Sequence, residues 1–169
     1  MSRLPDDAPV LFYDADCGVC NRSVRTILRL ERADADRSDG RAGTHGVLLR
    51  FAARRGPLGD VLHAERPGLE AVDSLLWREP SGDVLVRSAA VIAIARYLGG
   101  AWGVLGAVAS VVPRVVRDGA YRVFARNRHV IGRLTGAKHG PEGCVVPTAA
   151  QRVRFLDGAG EAGVSTPAP

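Results

Sequence analysis

The stretch FYDADCGVCNRSVRTILRLE, residues 12–31, decides the fold because two kinds of secondary structure meet inside it. The apolar run at residues 10–13 is short and is typical of a buried strand. From Gly18 onwards the apolar residues recur at helical spacing and the arginines fall on the opposite side, which predicts an amphipathic helix with one buried face. Cys17 therefore lies at the entrance of this helix, and Cys20 lies one turn inside it.

The rest of the pattern adds a strand, a helix, a hairpin and a further helix. Residues 46–51 are predicted to form the second strand, and Pro57 to begin a short helix, because proline is favoured in the first helical turn. The turn sequence EPSG separates two apolar runs within residues 72–87 and predicts a hairpin. Ser88 is expected to cap the next helix. The order β-α-β-α-β-β-α predicts a thioredoxin-like α/β fold.

The chain is long enough for one domain with its own hydrophobic core, because it has 169 residues and 46% of them are apolar. We predict a single domain over residues 9–157, with the thioredoxin-like core at 9–100 and a helical C-terminal extension at 101–157. Residues 1–8 and 158–169 are rich in Gly, Pro, Ala and acids and are predicted to be disordered tails.

Localisation and charge are also suggested by composition. The N-terminus MSRLPDDAP has no apolar segment of the signal-peptide type, so we expect a cytoplasmic protein. The longest apolar stretch, LGGAWGVLGAVASVV at residues 98–112, is too short to span a bilayer, and we expect it to form a buried helix or a packing surface. The net charge of +5 arises in one segment, because residues 114–138 hold seven Lys or Arg and one Asp.

The pair of cysteines at the strand-to-helix junction is suited to thiol–disulfide exchange. The thiolate is the nucleophile in that reaction, and the N-terminus of a helix stabilises negative charge and lowers a cysteine pKa. Two intervening residues place the second sulfur one turn away, within reach of a disulfide. We therefore predict that Cys17 attacks and Cys20 resolves. The helical pattern places Cys20 on the buried stripe and Cys17 outside it.

Two aspartates precede the cysteines and need a positive neighbour. An unpaired carboxylate beside a thiol raises its pKa, so Arg22 or Arg25 is predicted to neutralise them, or one aspartate shuttles protons to and from the cysteines. Asp14, at the end of the strand, is the better candidate for this role. Asp16 is either a supporting residue of the site or a helix cap.

A family resemblance follows from these residues. Asp14-x-x-Cys17-x-x-Cys20, followed by Asn21-Arg22-Ser23-Val24, resembles the signature of the DCC family of thiol–disulfide oxidoreductases, also called the domain of unknown function 393. The resemblance continues through SAAVIAIARYLGG (88–100), VPRVVRDGAYRVFARNR (112–128) and VPTAAQRVRFLD (146–157). It implies an enzyme with a thioredoxin-like fold and a redox-active disulfide, without a cofactor. Its substrates would be thiols or disulfides of proteins or of low-molecular-weight compounds.

One position departs from ordinary thioredoxins. Those proteins place a cis-proline opposite the disulfide, just before the first strand of the hairpin. The corresponding residues here lie near 72–74, and none is a proline. Ser74 or the backbone of Asp73 is predicted to face the cysteines instead.

Two other kinds of site compete for the same residues. The Asp-x-Asp after an apolar strand is also found in phosphatases of the haloacid-dehalogenase type, but the single lysine, Lys138, and the lack of a later acidic pair disfavour that chemistry. A zinc site would use Cys17, Cys20, His139 and Cys144. Cys144 is alternatively a third redox thiol.

The basic segment raises the possibility of a binding module. On a helical wheel of residues 112–131 one side holds Val116, Ala120, Val123, Phe124 and Ile131, and the other holds Arg114, Arg117, Arg122, Arg126 and Arg128. We predict a helix that docks on the core through its apolar side and leaves the arginines in water. Contact with an anionic membrane surface stays a less favoured alternative, and nucleic-acid binding is not expected because stacking aromatics are few.

Overall fold

Four strands and six helices are found in the part of the chain that the computed structural model describes, residues 4–35, 47–72, 74–134 and 147–156. In chain order they are β1 (Val10–Tyr13), α1 (Gly18–Ala35), β2 (Arg50–Ala53), α2 (Pro57–Glu65), β3 (Leu76–Arg78), β4 (Val84–Val86), α3 (Ser88–Leu98), α4 (Gly100–Val111), α5 (Arg114–Leu134) and α6 (Ala149–Arg152). The first seven elements confirm the predicted order, and α4, α5 and α6 form the helical extension.

The sheet has the strand order β2-β1-β3-β4. β1 pairs with β2 in parallel, with Val10 opposite Arg50, and with β3 in antiparallel, with Leu11 opposite Trp77. All four residues of β1 are buried, since strands flank it on both sides and helices cover both faces. This mixed sheet with its helices confirms the thioredoxin-like α/β fold.

Side chains alternate between two cores along β1, as the two-residue period of a strand requires. Leu11 and Tyr13 pack with residues of α1 and α3 on one face. Val10 and Phe12 pack with residues of α2 on the other. The position of the CxxC follows from this arrangement, because β1 ends at Tyr13 and α1 begins only five residues later on the first of these faces.

Two predicted boundaries are wrong. The second strand was expected at residues 46–51, but it is Arg50–Ala53 because pairing with β1 sets its register. Residues 4–8 were expected in a disordered tail, yet Leu4 is buried and the guanidinium of Arg78 donates hydrogen bonds to the Pro5 carbonyl at 2.7 Å and to Asp6 at 2.8 Å. Arg78 is itself buried, so it needs these acceptors. The tail predicted at 158–169 lies outside the described residues.

Ser88 was expected to cap α3 but is its first residue. Arg87 precedes the helix with a φ of 53°, and the Ser88 hydroxyl donates a hydrogen bond of 2.5 Å to Asp118 on α5. That bond lowers the pKa of Asp118, and the buried carboxylate also lies 3.6 Å from Arg114. Ser88 therefore attaches the extension to the core.

The extension packs differently from the prediction. α5 docks on α1 and α3 as expected, but Val116 and Val123, predicted to face the core, are exposed. The buried side of α5 instead carries polar groups, including Asp118 and the Tyr121 hydroxyl, which accepts a hydrogen bond from the Leu75 amide at 3.3 Å. Polar contacts thus decide how α5 is rotated about its axis.

α4 was expected to be buried or to form a packing surface, and it is largely exposed. Its only buried residue is Gly106, where an added Cβ would lie 3.1 Å from the Cβ of Ala95 on α3. This close approach fixes α4 against α3 through one side only. None of the helices described is long and apolar enough to cross a membrane.

A buried ion pair fixes the C-terminal segment to the core. The guanidinium of Arg154 makes two hydrogen bonds with Glu31 of α1, at 2.7 and 2.8 Å, and a third with the Leu49 carbonyl at 2.8 Å. Tyr97 of α3 donates to the same carboxylate at 2.7 Å, and burial, followed by the charge of Glu31, raises the pKa of this phenol. Four parts of the chain, at residues 31, 49, 97 and 154, meet in this network.

Removing Arg154 is expected to cost much of the stability of the fold. Arg154→Met leaves the buried Glu31 carboxylate without its cation, which typically costs about 3–5 kcal/mol. Urea unfolding at neutral pH measures the loss, and the exposed Arg152→Met on the same segment is the control. The double variant Arg154→Met/Glu31→Gln should regain part of the loss. Equal stability of the two single variants would contradict a structural role for the pair.

Candidate active site

The loop between β1 and α1 is held by hydrogen bonds of its own backbone and of one buried amide. The Asp14 carboxylate accepts from the Asp16 amide at 3.1 Å, and the Cys17 amide donates to the Asp14 carbonyl at 3.2 Å. Asn21 is 1% exposed, and its side chain donates to the Ala15 carbonyl at 2.6 Å. Because α1 begins at Gly18, Cys17 occupies the N-terminal capping position of the helix. Asp16, which the sequence offered as a possible helix cap, lies one residue too early for this position.

The environment of Cys17 favours the thiolate. Its pKa is lowered from 9.0 to about 6, above all because the Cys20 thiol donates a hydrogen bond to its sulfur. Burial opposes this effect, while the backbone amides of Cys20 and Val19 and the charge of Arg128 add to it. The two amides are those that a helix-capping acceptor normally receives. At neutral pH Cys17 is therefore mainly the anion.

The pKa of Cys20 is raised. The main cause is the hydrogen bond that it donates to Cys17, followed by burial and by the negative charge of Cys17. Cys20 is consequently a thiol when Cys17 is a thiolate, and both cysteines are free in this structure. The two sulfurs form one hydrogen-bonded acid–base pair with pKa values shifted in opposite directions.

The expectation that Cys17 lies outside the buried residues is wrong. Cys17 is 3% exposed, whereas Cys20 is half-buried. The helical pattern that placed Cys20 on the buried stripe is correct in that Cys20 packs against the core cluster. It does not apply to Cys17, which precedes the first helical residue, so its burial depends on the loop and on neighbouring elements.

A residue of the C-terminal extension enters the site. The guanidinium of Arg128 on α5 lies 3.8 Å from the Asp14 carboxylate, and both side chains are largely buried. The sequence pattern instead assigned this neutralising role to Arg22 or Arg25 and placed Arg128 on the water-facing side of its helix. Arg128 is the last residue of the stretch 112–128 that carries the family resemblance, but no role in the site was predicted for it. Docking of α5 on α1 brings it to the cysteines.

The remaining predicted site residues have other positions. Asp16 is exposed beside the loop, and Arg22 is exposed on α1, next to the cavity described below. The Ser74 hydroxyl donates to the Leu75 carbonyl at 2.9 Å and accepts from the Arg87 amide at 3.3 Å. Ser74 thus supports the turn before α3, and Asp73 lies outside the described residues.

A cavity of about 680 Å³ opens beside the second cysteine. α1, α3, α4 and α5 surround it, and its wall is mainly apolar. Cys20 forms part of the wall with Val91, Trp102, Phe124 and Arg128, whereas Cys17 does not. A molecule in this cavity would touch Cys20 and would have a positive charge nearby.

No arrangement of the described residues supports the zinc hypothesis. His139 and Cys144 lie outside the described residues. Among the residues that are described, no three His, Cys, Asp or Glu side chains come together in a way that could hold a metal ion.

The fold and the site together define a class of protein, a thioredoxin-like domain with a CxxC dithiol at the N-terminal end of its first helix. A family model described as DCC1-like thiol-disulfide oxidoreductase matches residues 11–134, and the chain belongs to that family. This confirms the resemblance noted in the sequence and supports a thiol–disulfide redox role at the level of the family.

The chain is also similar to a curated bacterial protein. It is 30% identical over 149 residues to the Uncharacterized protein YuxK of Bacillus subtilis (strain 168), a match that covers 87% of this chain and 93% of that protein. No solved structure matches the present chain.

The thiolate of Cys17 should be visible in its reactivity towards alkylating agents. We expect the alkylation rate of the reduced protein to rise with pH around a midpoint of about 6. Arg128→Gln removes a nearby positive charge, so the midpoint should move upwards and the rate at pH 6 should fall roughly threefold to tenfold. Measurement uses Cys144→Ser as background, with the exposed Arg126→Gln as the control. Identical profiles for the two variants would show that Arg128 does not act on Cys17.

Proposed function

We propose that the protein is a dithiol–disulfide oxidoreductase in which Cys17 attacks and Cys20 resolves. The observation that supports this most directly is the capping position of the Cys17 sulfur, where the Cys20 thiol and two helix amides stabilise its anion. A cysteine that is a thiolate near neutral pH combines a high anion fraction with good nucleophilicity.

The first step joins one half of the substrate to Cys17 as a mixed disulfide. The Cys17 thiolate attacks a substrate disulfide, a mixed disulfide forms at Cys17, and the departing sulfur leaves as a thiolate that takes a proton from solvent. In the second step Cys20 loses its proton and attacks the Cys17 sulfur. A disulfide joins the two cysteines, and the second substrate thiol leaves. Two electrons pass to the substrate, and the opposite direction uses the same steps in reverse order.

Formation of the mixed disulfide prepares Cys20 for its step. In the reduced site the pKa of Cys20 is raised first by the hydrogen bond to Cys17 and also by the charge of Cys17. Both causes disappear when Cys17 becomes part of a neutral mixed disulfide, and the charge of Arg128 continues to favour the Cys20 anion. The Asp14 carboxylate, on the loop beside Cys17, is the candidate acceptor for the Cys20 proton.

The burial of Cys17 restricts the substrate. A sulfur on a residue that is 3% exposed is not accessible to a disulfide on the rigid surface of a folded protein. The cavity is lined by Cys20, whose thiol donates a hydrogen bond to the Cys17 sulfur, so a narrow group in the cavity lies one side chain away from the attacking sulfur. We propose that low-molecular-weight disulfides or thiols, or cysteines on extended chains, react through this cavity.

Trapping of mixed disulfides tests the order of the two cysteines. Cys20→Ser should accumulate a mixed disulfide through Cys17, because nothing resolves it, whereas Cys17→Ser should accumulate at least about tenfold less. Mass spectrometry after exposure to glutathione disulfide measures both. Cys144→Ser is introduced in all proteins, so that the third cysteine cannot contribute. Preferential trapping at Cys20 would reverse the proposed order, and no trapping in either variant would reject the function.

Partial filling of the cavity tests the proposed approach. Val91 borders the cavity but is 44% exposed, so Val91→Trp can narrow the entrance without disturbing the core. We expect the rate of mixed-disulfide formation in the Cys20→Ser background to fall several-fold, with an unchanged pH midpoint. The control is Val153→Trp, at an exposed position away from the cavity. An unchanged rate in Val91→Trp would contradict this approach.

A further inference from the structure

α4 exposes an apolar surface on a helix without any charged residue. Its sequence, GAWGVLGAVASV, has a single polar side chain, and Gly106 is its only buried residue. Val104 is 64% exposed and Val108 is 63% exposed. A surface helix normally keeps its apolar residues in a stripe towards the core and polar residues towards water. α4 lacks the polar face altogether.

α5 adds to this surface. Its buried side is occupied by Asp118, Tyr121 and Arg128, and valines such as Val116 and Val123 point outwards. Only residues 112 and 113 separate the two helices in the chain, and Trp102 of α4 and Phe124 of α5 line the same cavity. We call the following six residues the exposed apolar surface: Val104, Leu105, Val108, Val111, Val116 and Val123. A group of exposed apolar residues like this is typical of an interaction site.

The charge around the exposed apolar surface is positive. Between residues 96 and 134 the sequence contains seven arginines and one acidic residue, Asp118. That carboxylate is buried against Ser88 and Arg114. Arg114, Arg122 and Arg126 are exposed on α5. A partner that covers the apolar residues therefore meets a cationic border.

Among possible occupants, a lipid surface with negative charge fits best. A second copy docked symmetrically through the same surface would bring two sets of arginines together, which is unfavourable. Anionic lipids instead attract basic residues that lie near the membrane surface. α4 is about 18 Å long, shorter than the hydrocarbon core of a bilayer of about 30 Å, so it would lie in the interface rather than span it.

We propose that the exposed apolar surface of α4 and α5 binds reversibly to anionic membrane surfaces. Val104 and its neighbours enter the boundary between headgroups and acyl chains, while the exposed arginines contact lipid phosphates. Trp102, 45% exposed next to these residues, is of the type that favours membrane interfaces. This binding uses no thiol, so it does not require the redox chemistry proposed above.

Vesicle sedimentation tests the proposal with the full-length protein. We expect binding to vesicles of phosphatidylcholine with about 30% phosphatidylglycerol, little binding to phosphatidylcholine alone, and at least a fivefold weaker partition when salt rises from about 50 to 500 mM. Val104→Ser/Val108→Ser should lower the bound fraction at least fivefold. Val153→Ser also removes an exposed valine, but this residue follows α6 and lies outside the exposed apolar surface, so it should not lower the bound fraction.

Charge is tested by a second matched pair. Arg122→Gln/Arg126→Gln should lose most of the binding, whereas Arg29→Gln/Arg152→Gln removes two exposed charges elsewhere and should retain it. Fluorescence supplies an independent measurement, because the chain has two tryptophans and only Trp102 is exposed. A blue shift on adding anionic vesicles should disappear in Trp102→Phe.

Three results would overturn the proposal. The first is a wild type that binds neither kind of vesicle, or both kinds equally. The second is an equal loss of binding in the target and control variants. The third is a dimer in solution, without vesicles, that Val104→Ser/Val108→Ser dissociates, since the surface would then be an interface between copies. Unchanged vesicle binding by Cys17→Ser/Cys20→Ser separates this proposal from the proposed thiol chemistry.

Discussion

A buried sulfur anion at the start of α1 is the constraint on which the site depends. Burial alone would keep Cys17 protonated, so the anion requires donors and positive charge close by. The Cys20 thiol and the first helix amides supply the donors, and they are local to the CxxC. Arg128 supplies charge from more than a hundred residues further along the chain. The site is therefore completed by the extension, and the thioredoxin-like core contains only part of it.

The local part of this arrangement could be predicted from the sequence because it follows from short-range patterns. An apolar strand, a helix with a regular apolar stripe and two cysteines between them are visible within residues 10–31. The strand order follows as well, since a parallel β1–β2 pair needs a helical crossover and EPSG predicts the hairpin. The predicted boundaries of the second strand are wrong, but its parallel pairing with β1 is correct.

The contribution of α5 could not be predicted because its helical wheel points the other way. Its apolar residues, such as Val116 and Val123, indicated the side that faces the core. The structure turns that side outwards, since Asp118, Tyr121 and Arg128 each find a polar partner on the core. An apolar stripe is evidence of an interface, but it does not say whether the interface is with the same chain. The helical wheel gave no weight to Asp118, the single acidic residue of this basic segment. In the structure Asp118 faces the core, where it binds Ser88.

The electrostatic interaction between Arg128 and Cys17 has a reciprocal effect on the helix that carries Arg128. Whatever free energy the guanidinium contributes to the Cys17 anion, the anion contributes equally to keeping α5 in place. A disulfide between Cys17 and Cys20 carries no charge, so this contribution is lost on oxidation while the pair with Asp14 remains. We expect α5 to be held more firmly in the reduced protein than in the oxidised one, a difference that amide hydrogen exchange would register. On this expectation, the redox state of two sulfur atoms affects how firmly a helix is held on the outside of the molecule.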